Sequence, residues 1–147
     1  MVNLNIGGYA GNMTPEKTWQ ILKNEKDAIL IDVRSAAEWA YVGVTDLSSI
    51  GKEAVTIEWK SYSKNDGMVE NQNFVDQVKE LCPNYNAKIL SLCRSGVRSI
   101  ATSKILTEAG FTHAYNVLEG FEGDKDITEH RGQLGGWKVR GLPWKQN

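Results

Sequence analysis

Cysteine is scarce in this chain: Cys82 and Cys93 are the only two among 147 residues. So low a count excludes a disulfide framework, and reduced thiols in a cytosol are the simplest reading. Histidine is equally scarce, with His113 and His130 alone, and no CxxC or HxxxH spacing occurs. No metal site is therefore expected, and nothing calls for a cofactor. No apolar run approaches the roughly 20 residues of a membrane span, so no membrane partner is expected. The opening stretch, MVNLNIGGYAG, carries neither the basic nor the apolar region of a secretory signal. Neither sign of charge dominates: 17 Lys and Arg against 18 Asp and Glu leave a formal charge of -1. That balance gives no electrostatic footprint for nucleic acid or anionic lipid. Internal repeats and low-complexity tracts are also missing. What is present is a chain 41% apolar and 24% charged, long enough to bury a core without staples. We expect one cytoplasmic domain over 1–147, its core at about 14–122 and a C-terminal wrap over 123–147. The oligomeric state is left open.

Apolar periodicity sets out the elements. A helix is expected over 14–23, where Thr14 can cap, Pro15 suits the first position and Glu16 meets the positive end of the dipole. The run AILIDV (28–33) reads as a buried strand, and SAAEWAY as a short helix capped by Ser35. A second strand is expected over 54–59, followed by a polar, Gly-containing loop through SYSKNDG. Over 71–82, Phe74, Val75, Val78, Leu81 and Cys82 share one helical face. AKILSLC reads as a third strand and AYNVL as a fourth. Between them a helix is expected over 99–109, with Ala101, Ile105 and Ala109 aligned and Gly110 as a left-handed stop. Short apolar strands alternating with helices predict an α/β domain: a mostly parallel central sheet with helices on both faces. The polar, Gly-rich 123–147 should wrap over it, anchored by Trp137 and Trp144.

In such sheets ligands bind at the carboxyl ends of the strands. If LIDVR and LSLCR run parallel, Asp32 and Arg34 come to the same sheet edge as Cys93. A thiol at the end of a strand and the start of a helix meets the positive end of the helix dipole and a set of unpaired loop N–H groups. Both favour thiolate, as do the neighbouring Arg94 and Arg98, and thiolate is the nucleophilic form. Gly96 allows a tight loop, and Ser95 and Ser99 add hydroxyl donors. A cysteine used only as a small hydrophobe is the commoner case, but a core residue is not normally followed by RSGVRS.

The segment CRSGVRS resembles the active-site loop of the rhodanese family, of the form C-R-x-G-x-R leading into a helix. LIDVRSAAEW is similar to that family's D-x-R-x-x-x-E-[FWY] segment, and NVLEGFEGD with GGWKVRGLPW resembles its closing segment. The pieces occur in the family's order across nearly the whole chain. The stretch VGVTDLSSIGKEAVTI departs from the H-[IV]-x-G-[AS] of many members, and DKDITEHRGQL is an insertion. The resemblance implies a single rhodanese-like domain and a sulfurtransferase. Cys93 would take the sulfane sulfur of a small anionic donor such as thiosulfate, hold it as a persulfide, and give it to a thiol, a protein acceptor or cyanide. The loop residues Arg94, Ser95, Gly96, Val97, Arg98 and Ser99 would bind the donor, with Asp32 and Arg34 bracing the loop. Cysteine-dependent phosphatases place the arginine six positions after the cysteine. Here Arg98 is five positions on and Ser99 six, which makes a narrower cradle. A non-catalytic binding module of the same type is the other alternative.

Elsewhere the ordinary readings are preferred. Cys82 is expected to be a packed core thiol, with a resolving disulfide to Cys93 as the sharper alternative. His113 and His130 are expected at the surface, Trp19 and Trp39 in the core. Trp59 is assigned to packing, with lining of the pocket mouth as the alternative. The acidic stretch over 119–129 reads as solvated surface, or as a docking site for a sulfur-accepting partner.

Overall fold

A computed structural model describes residues 7–147. The chain order is β1 (Gly11–Met13), α1 (Pro15–Asn24), β2 (Ile29–Asp32), α2 (Ala36–Tyr41), β3 (Val44–Thr45), a 3-10 turn (Ser48–Ile50), β4 (Val55–Thr56), β5 (Lys60–Ser63), β6 (Gly67–Glu70), α3 (Phe74–Leu81), β7 (Ile89–Leu92), α4 (Arg98–Glu108), β8 (Ala114–Val117) and β9 (Trp144–Lys145). Five strands form one parallel sheet in the order β1-β8-β7-β2-β4. The two runs richest in β-branched and leucine residues, β2 and β7, lie side by side near its centre, with Asp32 in register with Leu92. The expected coincidence of their carboxyl ends therefore holds.

Both faces of the sheet are covered, as continuous apolar strands require. Ile31, Val33, Ile89 and Cys93 pack on one face with Phe74 and Val78 of α3 and Leu106 of α4. Leu30, Leu90 and Leu92 pack on the other with Ile21 and Leu22 of α1, Phe121 and Trp137. Trp137 is the anchor expected of the C-terminal stretch. It is fully buried, meets Trp19 edge-on at 6.2 Å, and donates from Nε1 to the Pro143 carbonyl at 2.7 Å. Trp144 lies at the surface, edge-on to Phe121 at 6.1 Å, and pairs with Thr45 through β9. The caps form as read: the Thr14 hydroxyl accepts from the Lys17 N–H, and Ser35 with Glu38 closes a capping box on α2.

The structure departs from the sequence reading in several places. The polar loop after Trp59 is a hairpin, β5 and β6, turning through Lys64, Asn65 and Asp66, with Gly67 opening β6 at φ 72. A three-residue turn followed by a glycine at positive φ is a common hairpin form, masked in the sequence by the surrounding polar residues. The edge strand β1 lies ahead of the first expected element, too short to show a period. The buried face of α4 is Ser99, Thr102, Ser103 and Leu106, not the stripe through Ala101, Ile105 and Ala109, which is only partly buried. The Thr102 and Ser103 hydroxyls are satisfied by the helix's own backbone, both donating to the Ser99 carbonyl, so small polar residues pass against the sheet. Leu81 is exposed because α3 stops there, at Cys82 and Pro83, before anything covers it. Trp19 and Trp39 are half-buried, whereas Trp59 is buried edge-on against Phe74 at 5.6 Å. Among the described residues, no helix is long and apolar enough to cross a membrane.

Candidate active site

Cys93 follows β7 directly, and the five residues from Cys93 to Val97 form a loop that enters α4 at Arg98. Only 1% of the cysteine is exposed, at the base of a mouth of about 760 Å³. Its Sγ accepts the Gly96 N–H at 3.1 Å and lies 3.1 Å from the Ser99 hydroxyl. Gly96 sits at φ 96, a backbone conformation that L side chains rarely adopt. Among the described residues, the N–H groups of Ser95, Val97, Arg98 and Ser99 have no protein acceptor. Free N–H groups at a helix start are the kind that can hold an anion.

The closing turn builds the loop from behind. The Phe121 N–H donates to the Cys93 carbonyl at 2.8 Å, and the Glu122 N–H to the Arg94 carbonyl at 2.9 Å. This needs close approach: a Cβ on Gly120 would lie 2.5 Å from the Cys93 oxygen, and its φ is 63.

The candidate residues divide by position. Arg94, Ser95, Val97 and Arg98 line the mouth with Cys93, Gly96 props the sulfur, and Ser99 is fully buried behind it. Asp32 and Arg34 form a bidentate pair, at 2.9 and 2.6 Å, wholly inside the protein. Arg34 also donates to the Gly43 carbonyl at 2.8 Å and stacks on Phe121 at 4.3 Å. Through Arg34 the pair meets Phe121, whose N–H donates to the Cys93 carbonyl.

The partner of Arg98 is Glu38 of α2, in a two-pronged pair at 2.8 and 2.9 Å. Sequence reasoning assigns Glu38 no role, although it stands in the D-x-R-x-x-x-E segment and in the shape of a capping box. Burial pushes the Glu38 carboxyl up, but Arg98 and the bonds from Ser35 outweigh it and hold it below the usual carboxylate range. Arg98 is therefore a committed cation, while Arg94 makes no ion pair among the described residues.

The rim holds residues that no motif indicates. Lys60 and Met68 come from the hairpin, and Asp124, Lys125 and Arg131 from the insertion after the closing turn. Trp59 does not reach the mouth.

Cys82 stands apart. Its thiol faces the Asn84 carbonyl at 3.5 Å, among residues near the starts of β2 and β7. Cys93 lies at the strands' far ends, and four residues of β7 separate the edges by about 13 Å. A disulfide needs Cα atoms within about 7 Å, so a resolving role would require the backbone to move.

A five-stranded parallel sheet, covered on both faces and ending in this cysteine loop, defines a rhodanese-like domain. The chain belongs to the family described as the STR4 middle domain, whose model matches residues 10–147. It is similar to Rv0390 from M. tuberculosis, 47% identical with a TM-score of 0.83 over 95% of this chain and 99% of that one. It is 28% identical over 131 residues to the thiosulfate sulfurtransferase GlpE of Actinobacillus pleuropneumoniae, covering 89% of each. The rhodanese-like domain of an Anabaena protein shares the fold at 15% identity and a TM-score of 0.60, over 92% of this chain and 79% of that one.

Proposed function

We propose that the protein is a sulfurtransferase that moves a sulfane sulfur through a persulfide on Cys93. The observation that carries this reading is a buried sulfur at the base of a mouth lined by unpaired loop N–H groups and cations. Kinship with GlpE supports it. In the first half-reaction the Cys93 thiolate attacks the outer sulfur of a donor such as thiosulfate. The Cys93–S–S⁻ bond forms, the donor's S–S bond breaks, and sulfite leaves with the electron pair. In the second, a thiolate or cyanide takes the outer sulfur and Cys93 returns as thiolate. This double displacement should give ping-pong kinetics.

The loop N–H groups would hold the persulfide anion, and Arg94 the donor's sulfonate, with charge-assisted bonds worth roughly twice neutral ones. Arg98, already paired with Glu38, adds field more than a free fork. A mouth of about 760 Å³ is within the size range of small-ligand sites and far larger than thiosulfate needs. The acceptor is therefore read as a larger organic or protein thiol, entering between Lys60, Lys125 and Arg131. Two free thiols suit a reducing compartment such as the cytoplasm.

Incubation with thiosulfate, followed by mass spectrometry, should add one sulfur, about +32 Da, to the peptide containing Cys93. The absence of an adduct would overturn the reading. Cys93-dependent hydrolysis of an aryl phosphate would establish the phosphatase instead.

A further inference from the structure

Behind Cys93 runs a buried polar chain that the sulfur chemistry does not by itself require. Asn116 of β8 is fully buried and in register with Asn12 of β1. Its Nδ2 donates to Asn12 Oδ1 at 3.0 Å, which also accepts the Tyr9 hydroxyl at 2.9 Å. That contact turns Asn116 Oδ1 toward α4, where it accepts the Ser99 hydroxyl at 2.5 Å.

A serine hydroxyl has one hydrogen. Given to Asn116, it is not available to Cys93, and Ser99 presents lone pairs to the sulfur 3.1 Å away. In that state the Cys93 S–H is the donor of the contact. A thiolate would want the reverse, with the Ser99 hydrogen on sulfur, and obtains it only if Asn116 gives the hydrogen up. We propose that Asn116 is a positioning residue that competes with Cys93 for the Ser99 hydrogen, and so governs how readily the resting thiol ionises. The thiol proton itself leaves to water at the mouth. The proposal rests on Cys93 being the reactive thiol.

The charged groups around the sulfur are Arg94 and Arg98 on the loop and α4, Glu38 on α2, and Asp32 and Arg34 at the end of β2. Lys60, Asp124, Lys125 and Arg131 stand at the rim. Substitution at Asn116 leaves all of these in place. Asn116→Leu keeps the number and branching of side-chain heavy atoms and removes the competing acceptor. Alkylation of Cys93 by iodoacetamide, followed by mass spectrometry across pH, should then show its profile moved to lower pH. On the acid side of the profile the rate should rise about tenfold, the effect of one hydrogen bond to a charged sulfur. In a Ser99→Ala background the same substitution should change nothing. Asn12→Ala, at the exposed sheet edge, frees the carboxamide to turn its NH2 toward Ser99 and should give a smaller shift in the same direction. An unmoved profile in both variants, or an equal shift without Ser99, overturns the proposal. Alkylation uses no sulfur donor, so this test can fail or succeed independently of the sulfurtransferase reading.

Discussion

Cys82 and Cys93 are both buried thiols in one apolar cluster, on the face of the sheet covered by α3 and α4. They differ in what surrounds the sulfur and which edge of the sheet it occupies. Cys82 faces a backbone carbonyl, and burial pushes its thiol up, toward the neutral form. Cys93 faces an N–H, a hydroxyl and an arginine-lined mouth at the carboxyl edge. Burial alone therefore does not make a cysteine inert or reactive. The nearest dipoles and the position on the sheet are what distinguish the two sulfurs.

The largest effect should come from exchanging the roles of the two thiols. Cys93→Ser should abolish the sulfur adduct entirely, and Cys82→Ser should leave it intact by mass spectrometry. An adduct on Cys82 would break the comparison. Next is the buried ion pair at the Cys93 edge of the sheet. Asp32→Asn leaves Arg34 buried with half its partner gone and should cost about 3–5 kcal/mol in denaturant unfolding. Gly120→Ala drives a methyl into the Cys93 carbonyl and should slow sulfur loading more than it lowers the midpoint of unfolding.

The Glu38–Arg98 pair sharpens the comparison through pH. The folded-state pKa of Glu38 is depressed, so its contribution is present above about pH 4.5, the ordinary carboxylate value, and is lost as pH falls through the folded pKa. Glu38→Gln should therefore lower stability most at neutral pH and converge with the unsubstituted protein in acid, flattening the acid limb of the profile followed by circular dichroism. The smallest effect belongs to Cys82→Ala, about 1 kcal/mol for the small void it leaves, with sulfur loading unchanged.

Much of this was legible in the residues. β2 and β7 are short runs of branched aliphatics, Thr14 and Ser35 announce their helices, and C-R-x-G-x-R marks the loop. These signals are local, or repeat with a period. The remainder depends on groups brought together from afar. Glu38 meets Arg98 only once two strands have aligned, and Asn116 is an ordinary polar letter until β1 and α4 close over it. The face of α4 misleads for a different reason: hydroxyls satisfied by their own helix can be buried, and apolar periodicity does not register them.

The closing turn has one further consequence. In a trans peptide the C=O and N–H point in opposite directions. With the Cys93 and Arg94 carbonyls drawn back onto the N–H groups of Phe121 and Glu122, the N–H groups of Arg94 and Ser95 face away from that turn. The turn thus acts as a polariser: it gathers the loop's negative ends behind and leaves its positive ends in front. A loop of identical sequence without this backing could rotate those peptide planes and turn its carbonyls forward. The sign of the loop's front is set by the segment bonded to its back.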